Sequence, residues 1–77
     1  MQELLKKISI DPAICFGKPC LKGTRIWVSM LLDMLASGMT FEDILEEYTY
    51  ITIDDIRAAI YYGSLMSNDR YVDIKSF

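Results

Sequence analysis

Histidine is absent from the 77 residues. The commonest general base and the commonest metal ligand are therefore both missing, which argues against an enzyme and against a resident cofactor. Cysteine occurs only twice, at Cys15 and Cys20, too few for the disulfide framework of a small secreted scaffold. Long apolar runs are lacking as well. The longest, Ile26–Leu32, is interrupted by Ser29 and is far too short to span a bilayer. The first seven residues, Met1–Lys7, have no signal-like apolar stretch. The expectation is a cytoplasmic protein with no membrane contact.

What is present is apolar surface. Hydrophobic residues make up 52% of the chain and the mean hydropathy is +0.20. That content excludes disorder, yet it is generous for a chain of this length. A domain this small buries roughly 60% of the surface its unfolded form exposes, and chains below about 70–80 residues usually need a disulfide, a metal or a partner to stay folded. The first two look unsupplied, so the surplus points to a homodimer or to a different protein partner.

Charge is uneven. Residues 1–27 carry five cations against two acids, a balance of +3, while residues 28–77 carry three against nine, a balance of −6. Residues 8–28 have the texture of strand and turn. Ile8-Ser9-Ile10 alternates, Asp11-Pro12 opens a turn, and Thr24–Val28 is β-branched and aromatic. The two segments are predicted to form a short ribbon across a loop punctuated by Gly17, Pro19 and Gly23.

From Ser29 onward the pattern is helical. Ser29 is the predicted N-cap of a helix ending near Ser37, with Gly38 just beyond its end. Its only polar residues, Ser29, Asp33 and Ser37, are spaced by four, leaving one narrow stripe where a surface helix would have a wider one. Thr40 with Asp43 forms a capping-box pair, flanked by Met39 and Ile44 as a hydrophobic staple. Phe41, Ile44, Leu45 and Tyr48 then mark one apolar face. Thr52 with Asp55, and Ile51 with Ile56, repeat the device, starting a third helix at Ile53 that runs to about Met66 before Asn68 and Asp69 stop it. The predicted fold is mainly α, a three-helix, helix-turn-helix-like core with a short N-terminal β-ribbon. Residues 1–7 form an N-terminal segment, 8–66 a single domain and 67–77 a C-terminal tail.

Cys15 and Cys20 have four residues between them and no fellow ligands, so one chain cannot complete a structural zinc site; they read as small apolar side chains or free thiols. The Gly17–Thr24 loop has glycines and lysines, but Lys22-Gly23-Thr24 reverses the order of a P-loop and leads into a strand rather than a helix. It leaves three cations, Lys18, Lys22 and Arg25, as candidate nucleic-acid contacts against the alternative of a solvated turn. Glu42, Asp43, Glu46 and Glu47 lie opposite the apolar face of the second helix and read as a solvated face. The helix–Ser37-Gly38-Met39-Thr40–helix spacing is that of a helix-turn-helix, though four carboxylates on the second helix would oppose a line of phosphates. The candidate dimer surface is Ile26, Trp27, Val28, Met30 and Met34.

Four stretches carry a family resemblance: Ile10–Pro19 (IDPAICFGKP), Lys22–Val28 (KGTRIWV), Gly38–Ile44 with Tyr48, and Ile51–Ile60. Together they resemble the bacterial and archaeal family known as domain of unknown function 433, over about residues 8–63. The most specific signal is Gly-Lys-Pro followed by Lys-Gly-Thr-Arg. Trp27 and Thr49 depart from the family pattern, in which proline is usual at both. The resemblance implies a small homeodomain-like or winged helix-turn-helix fold and a role as antitoxin, with a PIN-like nuclease as the toxin partner and autoregulation of the operon as a second role. The tail then offers Arg70, Tyr71, Val72, Ile74, Lys75 and Phe77 as candidate toxin contacts, its cations directed at the acidic metal site expected of such a nuclease; the alternative is a terminus that packs on its own domain or frays. A DNA-binding regulator without a toxin is the second reading.

Overall fold

The computed structural model describes residues 1–68. A 3-10 segment over Gln2–Lys7 leads into strand β1, Ile8–Ser9. A single 3-10 turn follows at Cys15–Gly17, then strand β2, Cys20–Leu21, and helices α1 (Val28–Ala36), α2 (Phe41–Glu47) and α3 (Ile53–Asn68). The fold is mainly α with a small antiparallel ribbon, as the sequence predicts.

The ribbon differs in one respect. β1 pairs with Cys20–Leu21, in the register Ile8 opposite Leu21 and Ser9 opposite Cys20, rather than with Thr24–Val28. The latter segment folds back on the other side of β2. Trp27 bridges Cys20, and the Leu21 amide donates to the Ile26 carbonyl at 2.9 Å. Thr24 makes this reversal tight. Its hydroxyl donates to the Leu21 carbonyl at 2.8 Å and accepts from the Ile26 amide at 3.0 Å, a side-chain turn that strand propensity does not register. Cys20 and Leu21 thus lie in the middle of the ribbon and are almost fully buried.

α1 starts earlier than the Ser29 cap predicts. Trp27 is its N-cap residue and gives no side-chain cap. The amide of Val28 is instead satisfied by the Pro19 carbonyl at 3.0 Å, so the ribbon does the work of a cap. The far end follows the sequence. Gly38 is left-handed at φ +104, its amide reaches the Leu35 carbonyl and that of Met39 reaches the Met34 carbonyl, both at 3.1 Å. That pair is a Schellman motif.

Both capping boxes form. The Thr40 amide donates to Asp43 Oδ2 at 2.9 Å and the Asp43 amide to Thr40 Oγ1 at 3.1 Å; Thr52 and Asp55 repeat this at 2.9 and 3.2 Å. The two boxes set the entry of α2 and α3 and bring Ile44 and Ile56 fully inside. The core joins Leu21, Ile26 and Val28 from the ribbon side to Leu31, Ile44, Ile51, Ile56 and Ala59 from the helices. α1 buries fewer residues than its narrow polar stripe suggests. Only Val28 and Leu31 are inside, while Met30, Leu32, Met34 and Leu35 are half-buried against the core. α1 and α3 run so close that a Cβ on Gly63 would sit 3.0 Å from Leu32 Cδ1.

The N-terminal segment packs along α3. Lys7 Nζ lies 3.6 Å from Asp55 Oδ1, and the Lys7 carbonyl accepts from the Lys22 amide at 2.7 Å. Residues 1–7 therefore tie the ribbon to the third helix. No helix of the described residues is long and apolar enough to cross a membrane.

Candidate interaction surface

The loop between the two strands holds the least ordinary backbone of the described residues. It is set up by Asp11, whose Oδ1 accepts from the Ala13 amide at 2.9 Å and whose carbonyl accepts from the Ile14 amide at 2.9 Å. Three successive residues then turn left-handed: Cys15 at φ +54, Phe16 at φ +57 and Gly17 at φ +77. Glycine takes that conformation without penalty; a cysteine and a phenylalanine do not. The turn closes through the Gly17 amide to the Ile14 carbonyl at 3.1 Å and the Lys18 amide to the Cys15 carbonyl at 3.0 Å.

The alternation of burial along this turn is abrupt. Cys15 points into the protein, 6% exposed, and Phe16 stands out of it, 90% exposed. Beside Phe16, the ammonium of Lys18 sits over the Trp27 ring, 4.6 Å from its centroid, a cation–π contact. Arg25 lies between two shallow cavities. One, of about 310 Å³, is shared with Pro12, Ala13, Cys15, Phe16 and Trp27. The other, of about 530 Å³, is shared with Ser9, Ile14, Cys20, Gly23, Thr24 and Tyr50. Tyr50 is 66% exposed and meets Tyr48 edge-to-face.

Of the residues singled out from the sequence, Lys18, Lys22 and Arg25 are all exposed; Lys18 lies over Trp27 and Arg25 lines both cavities. Among the described residues, none of the three pairs with a carboxylate. The proposed dimer set separates. Ile26 and Val28 are 3% exposed and belong to the chain's own core, so they have no surface to offer a second copy. Trp27, Met30 and Met34 remain half-buried. Arg70, Tyr71, Val72, Ile74, Lys75 and Phe77 lie outside the described residues. Glu42, Asp43, Glu46 and Glu47 are exposed on α2. The Asp43 carboxyl is held below its ordinary range by the backbone and then the side-chain hydrogen bonds of Thr40.

Phe16 and Tyr50 are the residues that sequence reasoning missed. The available signal was an aromatic residue in a turn-rich stretch with no apolar periodicity to place it inside; Phe16 fits neither a strand face nor a helix face.

Cys15 and Cys20 are free buried thiols, and Cys20 Sγ lies 3.7 Å from the Thr24 carbonyl. Burial, then the neighbouring Cys15 thiol, push the Cys20 thiol up to about 11 from an ordinary 9.0. The neutral thiol is thus the native form. A raised acid pKa means that the folded chain holds its proton more tightly than the unfolded chain, so this contribution to stability is complete below pH 9 and is lost as pH rises through 11. Unfolding midpoints measured from pH 8 to 11 are expected to fall across that window, and a Cys20→Ala variant is expected to fall less steeply.

A family model described as protein of unknown function (DUF433) matches residues 8–62. The chain belongs to the DUF433 family. The match begins at β1 and ends within α3, so it takes in the whole left-handed turn and both cavities beside Arg25. A crystal structure of a DUF433 member protein from Anabaena variabilis superposes with a TM-score of 0.78 at 29% sequence identity, covering 88% of this chain and 67% of that one. No curated protein matches the chain.

Proposed function

We propose that this DUF433 chain is a non-enzymatic, antitoxin-like interaction module that neutralises a PIN-like nuclease. The observation that carries the reading is apolar surface left uncovered. Phe16, Tyr50, Ile10, Ile53, Met66 and Ile60 are 40–90% exposed in a chain whose core gathers eight buried residues. The two aromatics among them, Phe16 and Tyr50, are of the residue types enriched in interface cores. The family resemblance supplies the kind of partner, and a homodimer through the half-buried Trp27, Met30 and Met34 fits the same economy of surface.

A second reading, a DNA-binding regulator or an autoregulating antitoxin, draws on the exposed Lys18, Lys22 and Arg25. It has to use that loop. α2, the second helix of the α1–turn–α2 pair, presents four carboxylates and would be repelled by phosphates.

Co-expression with the adjacent gene tests the proposal. The expected result is a neighbour that arrests growth alone, is harmless together with this chain and co-purifies with it. A harmless neighbour that does not co-purify contradicts it. Operator binding that weakens steeply with salt and on replacement of Lys18, Lys22 or Arg25, with no toxic neighbour, would establish the second reading instead.

A further inference from the structure

We infer that Phe16 is the anchor of the partner interface, and that the partner presents an apolar socket bordered by carboxylates, which Phe16 fills and Arg25 rims. The inference rests on the proposed function, since it assigns the contact surface of that interaction.

Phe16 is unfavourable twice over in the isolated chain. Its ring is 90% exposed, and its backbone is left-handed at φ +57, a conformation in which glycine would be relaxed. Among the described residues, little packs on the ring to offset either penalty. Strain of this kind, retained at an exposed position, marks a use outside the folded monomer.

The turn is also held in advance. Cys15 is buried beneath it, the Asp11 side chain fixes its entry, and its exit is joined to α1 through the Pro19 carbonyl and the Val28 amide. A ring presented on a braced loop loses little freedom on binding, which improves affinity at a given contact area. Its neighbours are of the residue types that concentrate binding energy, an arginine and a tryptophan, and they share one cavity with it.

Charge selects the partner. Lys18, over Trp27, and Arg25, in the cavity with Phe16, are exposed, and the acid on this loop, Asp11, is half-buried with Oδ1 engaged by the Ala13 amide. The surface that complements it is therefore acidic around an apolar centre. A protein socket suits this better than a nucleic acid. One strongly protruding ring is not the row of aromatics that stacks successive bases, and the chain as a whole is at −3.

The test measures the affinity of the full chain for the purified product of the adjacent gene. Four variants are compared: Phe16→Ala, Phe16→Gly, Arg25→Glu and, at an exposed α3 position that lines neither cavity beside Arg25, Arg57→Ala. Phe16→Ala and Arg25→Glu are expected to weaken binding at least tenfold, and Arg57→Ala less than twofold. Phe16→Gly is expected to lose binding equally while its unfolding midpoint rises, because the left-handed strain is relieved; that separates an interface role from a structural one. Binding by Phe16→Ala within twofold of the parent overturns the inference and leaves the proposed function standing. No binding by the parent chain overturns both. Phe16-dependent binding to a 20-nucleotide single-stranded oligonucleotide, with binding to the adjacent gene product unaffected, overturns it in favour of a nucleic-acid site.

Discussion

Leu31→Ala is expected to destabilise the chain by about 3 kcal/mol, within the roughly 2–5 kcal/mol span of fully buried leucines. Leu31 is 0% exposed, at the point where α1 meets the core residues of the ribbon and of α3. Its loss removes transfer energy and leaves a cavity that the neighbours are poorly placed to fill. Gly63 already brings α3 close to Leu32, so the two helices have little room to slide together. A domain of this size has a total stability of about 4–12 kcal/mol, and each kcal/mol shifts its midpoint by about 4–8 °C. Thermal or urea unfolding should therefore show a loss on the order of 10–25 °C, or a chain that no longer folds at 37 °C. A shift below about 1 kcal/mol would mean that α1 is not packed as described.

Deleting residues 1–7 is expected to cost about 2 kcal/mol, although the family match begins only at residue 8. Leu4 and Leu5 are half-buried, and half the burial of two leucines is on the order of 2 kcal/mol. The exposed side of the Lys7–Asp55 ion pair adds little. The same deletion removes the Lys7 carbonyl that accepts from Lys22, so the ribbon should loosen along with α3. Ala58 is fully buried yet lies outside the main core cluster, and α3 has the N-terminal segment as its other neighbour. Amide exchange in β1, β2 and the middle of α3 should therefore quicken in the truncated chain. Unchanged stability and exchange would show the segment to be dispensable.

The helical half of the fold was legible because its signals are local. Thr40 with Asp43 and Thr52 with Asp55 start two helices through contacts three residues apart, and Gly38 ends the first through its own backbone angle. The start of α1 was not legible. Its cap is the Pro19 carbonyl, nine residues away on the ribbon, while Ser29, the local candidate, is exposed within the helix. The strand pairing failed for a related reason. Thr24 bends the chain back on Leu21 through a side-chain turn, so the β-branched run flanks β2 instead of reaching β1.

Legibility of the surface followed charge rather than conformation. Lys18, Lys22 and Arg25 could be named from the sequence because cations in a glycine-containing loop stay exposed. The dimer set mixed inside with outside. Ile26 and Val28 alternate with Trp27, and only the three-dimensional arrangement shows that the first two enter the core. Phe16 has no periodicity to place it in or out, and only the left-handed turn at 15–17 shows that it stands out of the protein.

Completion of the exposed apolar and aromatic surface by another protein is tested by light scattering on the chain mixed with the adjacent gene product, read together with the nuclease activity of that product before and after the chain is added. A stable hetero-complex at micromolar concentration and loss of the nuclease activity at stoichiometric chain are expected. A clean monomer beside an unbound and fully active neighbour would contradict such completion.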